Sequence, residues 1–309
     1  MVRGYSLVQL MISLVLVALI ALAVGSSLVT LFRGMRLIMQ QQSMVQSAVT
    51  LHTLLQQQLV LTQFLAGQSF ASLQRPTNVV VAGDCVSTAG GGSFPRADAA
   101  WSAVWLGTVG QTMIPSCLNQ PVMQSDVLQL KRFGGEFFAA AARDNRQFFW
   151  QTNTTAGWVG DTSPSTGARF WPFIHEVYYL TKQNGSPVLM RKRLIKQGNF
   201  SLSMDTNSIV EGVEMLVFEV GIDQDQDGQV DTFVKPSAVP VAVWQQQQGV
   251  VRQLRYFAVI RSRIPDPTYT NHQVYRLGTR QFQAPGDHFR RVQVQSSVTL
   301  LNPPGRVFE

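Results

Sequence analysis

Nine residues in the second half of the chain carry the strongest chemical signal: Asp223-Gln224-Asp225-Gln226-Asp227-Gly228-Gln229-Val230-Asp231. Side-chain oxygens at the first, third and fifth positions, a glycine at the sharp turn, then a backbone carbonyl and a further acid form the oxygen-ligand pattern of a Ca2+ loop. Asp223, Asp225, Asp227, the Gln229 carbonyl and Asp231 are therefore the candidate ligands of a divalent cation. The glutamate that closes a full EF-hand loop is missing, because Val234 stands in its place. Asp231 or a group from elsewhere must complete the shell. Four aspartates within nine residues repel one another unless a cation joins them. The competing reading is an exposed Asp-Gly turn between two strands, which needs no ion.

Other reactive residues are sparse. The two cysteines, Cys85 and Cys117, have no Cys or His at metal-ligand spacing. They either pair in an oxidising compartment or sit as two buried thiols, and a chain that crosses a membrane suits the disulfide. The four histidines, His52, His175, His272 and His288, are scattered, and His175 beside Glu176 reads as a surface histidine. No Gly-x-Ser-x-Gly, Walker loop or dinucleotide fingerprint occurs. Trp101, Trp105, Trp150, Trp158 and Trp171 read as core or interface aromatics rather than a ligand cage. Nothing here points to catalysis.

The element that must carry this chemistry is anchored at the N-terminus. Leu10 to Phe32 contains no charged residue. Its twenty-three residues, at 1.5 Å each, give roughly 35 Å, enough to span a bilayer core with some tilt. Two plain readings compete: a secretory signal cut after Ala21-Leu22-Ala23, and an ordinary membrane anchor. Against the first, helical character continues, since no proline occurs before Pro76. Against the second, Arg3 precedes the span while Arg33 and Arg36 follow it, a bias that would keep the bulk of the chain inside. A dedicated leader-processing route explains the opposite orientation.

Beyond Arg36 the pattern turns amphipathic. Met44, Ala48, Leu51, Leu55 and Leu59 recur at three- and four-residue steps among glutamines. The spacing predicts one helix over 5–66, apolar all round in its first half and striped over 37–66, with a C-cap near Gly67. From 67 to 309 the period shifts to short β-branched and aromatic runs: Val79–Val81, Val127–Leu130, Val177–Leu180, Met215–Val220, Leu254–Ile260 and Val292–Val294. Turn-rich stretches separate them. The fold class is α+β: a long N-terminal helix laid on a mainly antiparallel sheet.

The first residues give this helix a family. Gly4 followed by Tyr5, a Ser-Leu pair and a long apolar helix resembles the class III leader of type IV prepilins. The resemblance implies a leader of residues 1–4, cleavage by a prepilin peptidase between Gly4 and Tyr5, and N-methylation of Tyr5. The family usually has Glu at the fifth mature position; here it is Gln9. A carboxylate at that depth costs about 2.5–3.5 kcal/mol of insertion free energy and needs a partner. In pilins that partner is held to be the terminal amine of the subunit ahead. Neutral Gln9 loses this attraction, which suits a subunit at or near the tip, although drift in a rare component accounts for it equally.

Further blocks resemble the PilW-type minor pilins in particular. They are Ser125–Arg132, Val177–Leu180 with Gly185–Arg193, Ile209–Asp223 running into the acidic loop, and Phe289–Asn302. The resemblance implies sister minor pilins and the major pilin as partners. It also places the chain in the bacterial inner membrane, with a periplasmic globular domain, and in the pilus fibre at the cell surface. A pseudopilin of the general secretion pathway shares the leader and is one alternative. The other is a nucleic-acid receptor for DNA uptake. Its motive is the net charge of +7 and the basic second half, with Arg252, Arg255, Arg261, Arg263, Arg290 and Arg291.

Overall fold

The computed structural model describes residues 7–68, 73, 76, 79–87, 89–95, 100–141, 145–160, 162–197 and 201–301. Helix α1 runs Leu7–Val60. Its first stretch, Leu7–Leu28, has a mean hydropathy of 2.9, and none of it is buried inside the fold. Further along, one stripe turns inward. Met44, Leu51, Leu55 and Leu59 are buried, and Ala48 packs half-buried against the same core. Each fully buried leucine contributes about 1.5–3 kcal/mol by leaving water. Polar contacts fix the helix's rotation: His52 Nδ1 lies 2.7 Å from Tyr256 Oη, and Arg132 Nη2 donates to Gln58 Oε1 at 2.8 Å.

The helix stops short of the expected Ala66. The Thr62 N–H bonds back three residues to the Leu59 carbonyl at 3.1 Å, and its hydroxyl takes the Gln58 carbonyl at 3.0 Å. Gln63 then adopts a left-handed φ of 69°. A tightened last turn followed by a left-handed residue ends the ladder at Val60. Gly67, with φ 77°, serves a later turn instead.

The β-rich part holds β1 (Val80–Ala82), β2 (Val104–Thr108), β3 (Asp126–Phe133), β4 (Gln147–Gln151), β5 (Ala156–Trp158), β6 (Arg169–Gln183), β7 (Ser186–Gln197) and β8 (Ser201–Glu211). After these come β9 (Val213–Asp223), β10 (Thr232–Val234), the short helix α2 (Val241–Trp244), β11 (Val250–Arg261), β12 (Val274–Leu277), β13 (Arg280–Gln283) and β14 (Arg291–Thr299). The larger sheet is ordered β1-β8-β7-β6-β3-β2, with β4 beside the first part of β6 and β5 beside β4. The smaller sheet is β10-β9-β11-β14, and β12 pairs with β13. Only β1 against β8 is parallel.

The two sheets and the striped half of α1 enclose one main core. Strand β9 is buried on both faces, which is why it reads as an unbroken apolar run. Leu216, Phe218, Val220 and Ile222 belong to the main core, while Met215 and Val217 pack with Val259, Tyr275 and Leu277 in a second cluster. A single carboxylate ties the seam. Asp126, at the head of β3 and fully buried, accepts from Thr108 Oγ1 at 2.7 Å, from the Phe218 N–H at 2.6 Å and from the Arg280 guanidinium. Strands β2, β3, β9 and β13 thus meet at one residue.

Candidate functional site

The acidic loop joins β9 to β10, and the register of that hairpin sets its shape: Thr232 lies opposite Ile222 and Val234 opposite Val220. Asp223, Asp225 and Asp227 each offer a carboxylate oxygen, and these oxygens all lie within 4.8 Å of one another. Asp223 is fully buried; Asp225 and Asp227 are exposed. Asp223 Oδ2 accepts from Arg252 Nε at 2.8 Å and from the Gly228 N–H at 3.0 Å, whereas its Oδ1 is buried without a hydrogen-bond partner. Burial pushes the Asp223 carboxyl up, but Arg252 and the loop N–H groups outweigh it and hold the group below the usual carboxylate range. Asp231 is not in the cluster. It closes the loop by accepting the Gln224 N–H at 2.7 Å, and the Gln229 N–H bonds to Asp227 Oδ1 at 2.7 Å. Of the five sequence candidates, three converge. The donor set, one buried and two exposed carboxylates, suits a hard cation.

Cys85 and Cys117 are joined as a disulfide, with their Cα atoms 5.1 Å apart. Next to it, the described residues of 84–102 have almost no regular structure, so their carbonyls need donors from elsewhere. Side chains of β3 and β6 supply them. Fully buried Lys131 donates to the Gly90 carbonyl and to the Ser102 carbonyl at 3.2 Å, and its Nζ lies 5.1 Å from the Trp101 ring centre. Gln129 Nε2 donates to the Cys85 carbonyl at 2.8 Å.

His175 is corrected by the same network. It is not a surface residue but is fully buried. Its Nδ1 lies 2.8 Å from Ser93 Oγ and its Nε2 3.0 Å from Gln129 Nε2, while Ser93 Oγ lies 2.6 Å from Asp84 Oδ1. With the Ser93 proton on the bond to Asp84, Nδ1 must carry the imidazole proton and Nε2 accepts from Gln129. Burial and the nearby Lys131 ammonium hold the imidazole well below its ordinary range, so it is neutral. Asp84, Ser93 and His175 are hydrolase residue types in a non-hydrolase order. Ser93 is fully buried, and its proton points to the acid rather than to the histidine. The arrangement anchors a loop.

Lys131 makes that anchor pH-dependent. Burial lowers its ammonium to about 7 from 10.5, against the pull of Asp84. Between these values the unfolded chain binds the proton more tightly than the folded one. Stability contributed by this group therefore rises with pH across that window, by at most about 1.4 kcal/mol per pH unit. Lys192, also lowered by burial, acts in the same direction. The readout is therefore the difference between the wild type and Lys131→Met in urea midpoints at pH 7 and pH 9. The gain with pH should shrink in the variant, and an equal gain in both would disprove the assignment. At pH 9 the variant should also lose about 1–3 kcal/mol for each orphaned carbonyl.

The basic second half is largely consumed internally. Arg252 pairs with Asp223, Arg261 with Glu214, Arg263 with Glu211 and Arg290 with Asp266. Arg291, fully buried, holds both Glu214 and Asp287. Arg255 stacks over the Phe233 ring at 3.4 Å. A phosphate backbone would have to compete with these partners for the same guanidinium groups. Gly4 and Tyr5, the expected cleavage and methylation positions, lie outside the described residues, and Gln9 sits in the first turn of α1, exposed.

Residues 177–302 match the family model described as PilW, Type IV Pilus-assembly protein W. Over this stretch the chain is similar to the PilW-type pilus-assembly proteins. The match begins within β6 and takes in β7 through β14, so the acidic loop and the whole smaller sheet belong to the PilW-type segment. The chain is accordingly related to type IV pilus assembly, and its apolar N-terminal helix and disulfide fit a membrane-anchored protein of that kind. Helix α1 lies outside the match and is read from its own composition. No curated protein and no solved structure matches the chain.

Proposed function

We propose that this chain is a minor pilin that primes type IV pilus assembly within a complex of sister minor pilins, at or near the fibre tip. One observation carries the reading. A single helix has an apolar half, Leu7–Leu28, with nothing packed on it, and a striped half docked on a PilW-type head. Such a rod needs lipid or other helices as its solvent, and exchanging one for the other is filament assembly. Residues 1–4 would be the leader, removed by prepilin peptidase, and Tyr5 the methylated first residue of the mature chain. The helix would hold the protein in the inner membrane with its head in the periplasm, until the rod packs against sister pilins and the major pilin. Neutral Gln9 supports a place near the tip, where no subunit ahead offers an amine.

Mass spectrometry of the native protein tests this directly. The expected N-terminus is N-methylated Tyr5. A chain beginning at Met1, or anywhere beyond Ala23, would end the filament reading.

The acidic loop is proposed to take Ca2+. Asp223, Asp225 and Asp227 would hold the ion, with the Gln229 carbonyl and water completing the shell and Asp231 closing the loop behind them. The ion would neutralise the clustered carboxylates and stiffen the turn between β9 and β10. Calorimetric titration of the full chain in detergent should give saturable Ca2+ heat with a Kd of roughly 10⁻⁴–10⁻³ M, the range of extracellular modules. Asp225→Ala should abolish it. No heat from the wild type, with Asp225→Ala equally stable in Ca2+, would remove the ion from the account.

A further inference from the structure

Trp171 is the one tryptophan of the sequence-predicted core set that is not buried. Trp101, Trp105, Trp150 and Trp158 are all within the interior, whereas Trp171 borders an open cavity of about 600 Å3. That volume is within the range of small-ligand sites. The cavity lies between the tip of the β4–β5 hairpin, residues 152–155, and the turn at 165–167 that leads into β6, with Ala66 at its edge.

Its walls have a narrow chemistry. Gln151 and Asn153 contribute amides, the threonines and Ser165 contribute hydroxyls, and among the described residues Arg169 is the only charged group. Among the described residues no carboxylate lines it, and none pairs with Arg169. The guanidinium is instead oriented by stacking, 4.9 Å over the Phe137 ring. Phe137 packs against Trp171 at 5.4 Å, and Phe64 abuts the indole edge-on at 5.5 Å. The indole is therefore held in place, and because its Nε1 is itself buried, the ring surface is what it offers to the cavity.

Several ligand classes fit poorly. An apolar molecule would strip water from the hydroxyls and amides without replacing their bonds. A metal ion would find no anionic oxygen. A polyphosphate would ask for clustered cations or a helix N-terminus, and one arginine supplies neither. A ring bearing vicinal hydroxyls matches side chains that both donate and accept, its C–H face suits an indole, and a carboxylate satisfies Arg169. The site also lies near the end of α1 that is remote from its apolar stretch. From Leu28 to Val60 α1 climbs about 48 Å at 1.5 Å per residue, and the cavity lies beyond that end.

We propose that this cavity binds an acidic saccharide, a short oligosaccharide carrying a uronic or sialic acid. Arg169 pairs with the carboxylate, Trp171 packs against a sugar ring, and Asn153 and the threonines bind its hydroxyls. This does not rest on the filament reading: loss of sugar binding would leave the mature N-terminus unaffected.

The test uses the full chain in detergent micelles and two matched ligand pairs, digalacturonate with α-1,4-galactobiose and sialyllactose with lactose, followed by ligand-observed NMR titration. At least one acidic ligand should bind saturably, about tenfold more tightly than its neutral partner, a difference of about 1.4 kcal/mol. Arg169→Gln should erase that preference, and Asn153→Ala should weaken both members of the pair alike. Arg169 and Asn153 are exposed, so both variants should keep the wild-type near-UV circular dichroism. The proposal is overturned if no acidic ligand saturates at concentrations of about 10 mM, well above the millimolar Kd of a weak site. Equal binding of the acidic and neutral partners, or a preference that survives Arg169→Gln, would overturn it too.

Discussion

Asp126→Ala is expected to cost about 3–5 kcal/mol, the loss typical of breaking a buried ion pair from one side. The substitution removes the acceptor of Thr108 Oγ1 and of the Phe218 N–H, and it takes from the Arg280 guanidinium its carboxylate, leaving it the Gln124 and Phe218 carbonyls at 3.3 and 3.5 Å. It also leaves the Arg280 charge partly buried, with 18% of its side chain exposed, and nothing to offset it. The magnitude reflects the penalty of removal and not the net worth of the pair. Burial in fact pushes the Asp126 carboxyl up, and Arg280, Thr108 and the Phe218 N–H only partly offset that. Two comparisons separate charge from geometry. Asp126→Asn keeps the shape and one acceptor and should lose less. The double change Asp126→Leu with Arg280→Met should lose clearly less than the two single losses added, because neither charge is stranded. Urea unfolding followed by tryptophan fluorescence reads the wild type, these variants and the single changes Asp126→Leu and Arg280→Met. Hydrogen exchange should locate the weakening in β9 and in the β12–β13 hairpin, whose second strand Arg280 begins. A loss under about 1 kcal/mol would mean that water replaces the carboxylate and that the seam is not closed there.

Much of this architecture is legible from the residues, and the gaps have physical causes. The stripe from Met44 to Leu59 is read correctly because helical period and burial agree there. Strands β3, β6, β9, β11 and β14 contain the apolar or β-branched runs that announce them, in β9 because both its faces are covered. Strand β8, Ser-Leu-Ser-Met-Asp-Thr-Asn-Ser-Ile-Val-Glu, announces nothing, since its middle is exposed and its order comes from the β7 ladder. The β12–β13 hairpin is hidden because its turn is Gly278-Thr279, with Gly278 at φ 63°, and not one of the usual Asn-Gly or Asp-Gly pairs. The acidic loop is placed by its spacing, yet Asp231 is spent on the Gln224 N–H, and Arg252, from a strand 29 residues on, already faces Asp223. Such a counter-charge has no local signature. His175 and Lys131 fail for the same reason. Their burial is dictated by carbonyls of an irregular loop that lies distant in sequence, and by nothing in their own neighbourhood. The arginines mislead in the opposite direction, because a charge count cannot tell a paired cation from a free one.

Cutting the covalent link is the second large effect. Cys85 and Cys117 are separated by 32 residues, and on the chain-entropy model closing a loop of that size stabilises the fold by about 3–4 kcal/mol. The effect acts on the unfolded chain, because the native loop has its own ties. Lys131, Gln129 and the chain Asp84–Ser93–His175 hold Asp84, Cys85, Gly90, Ser93 and Ser102 onto β3 and β6 whether or not the sulfurs are joined. Reduction, or the double change Cys85→Ser with Cys117→Ser, should therefore lower the urea midpoint while leaving near-UV circular dichroism almost unchanged. The denaturant slope should rise, since an unlinked unfolded chain exposes more surface. Cys117→Ser alone should match the double change, because Cys85 is fully buried as a lone thiol and packs as a small apolar group. If instead reduction erases the near-UV signal, the polar network cannot hold the loop unaided, and the stabilisation acts in the native state. If the midpoint does not move, the loop is already constrained in the unfolded chain.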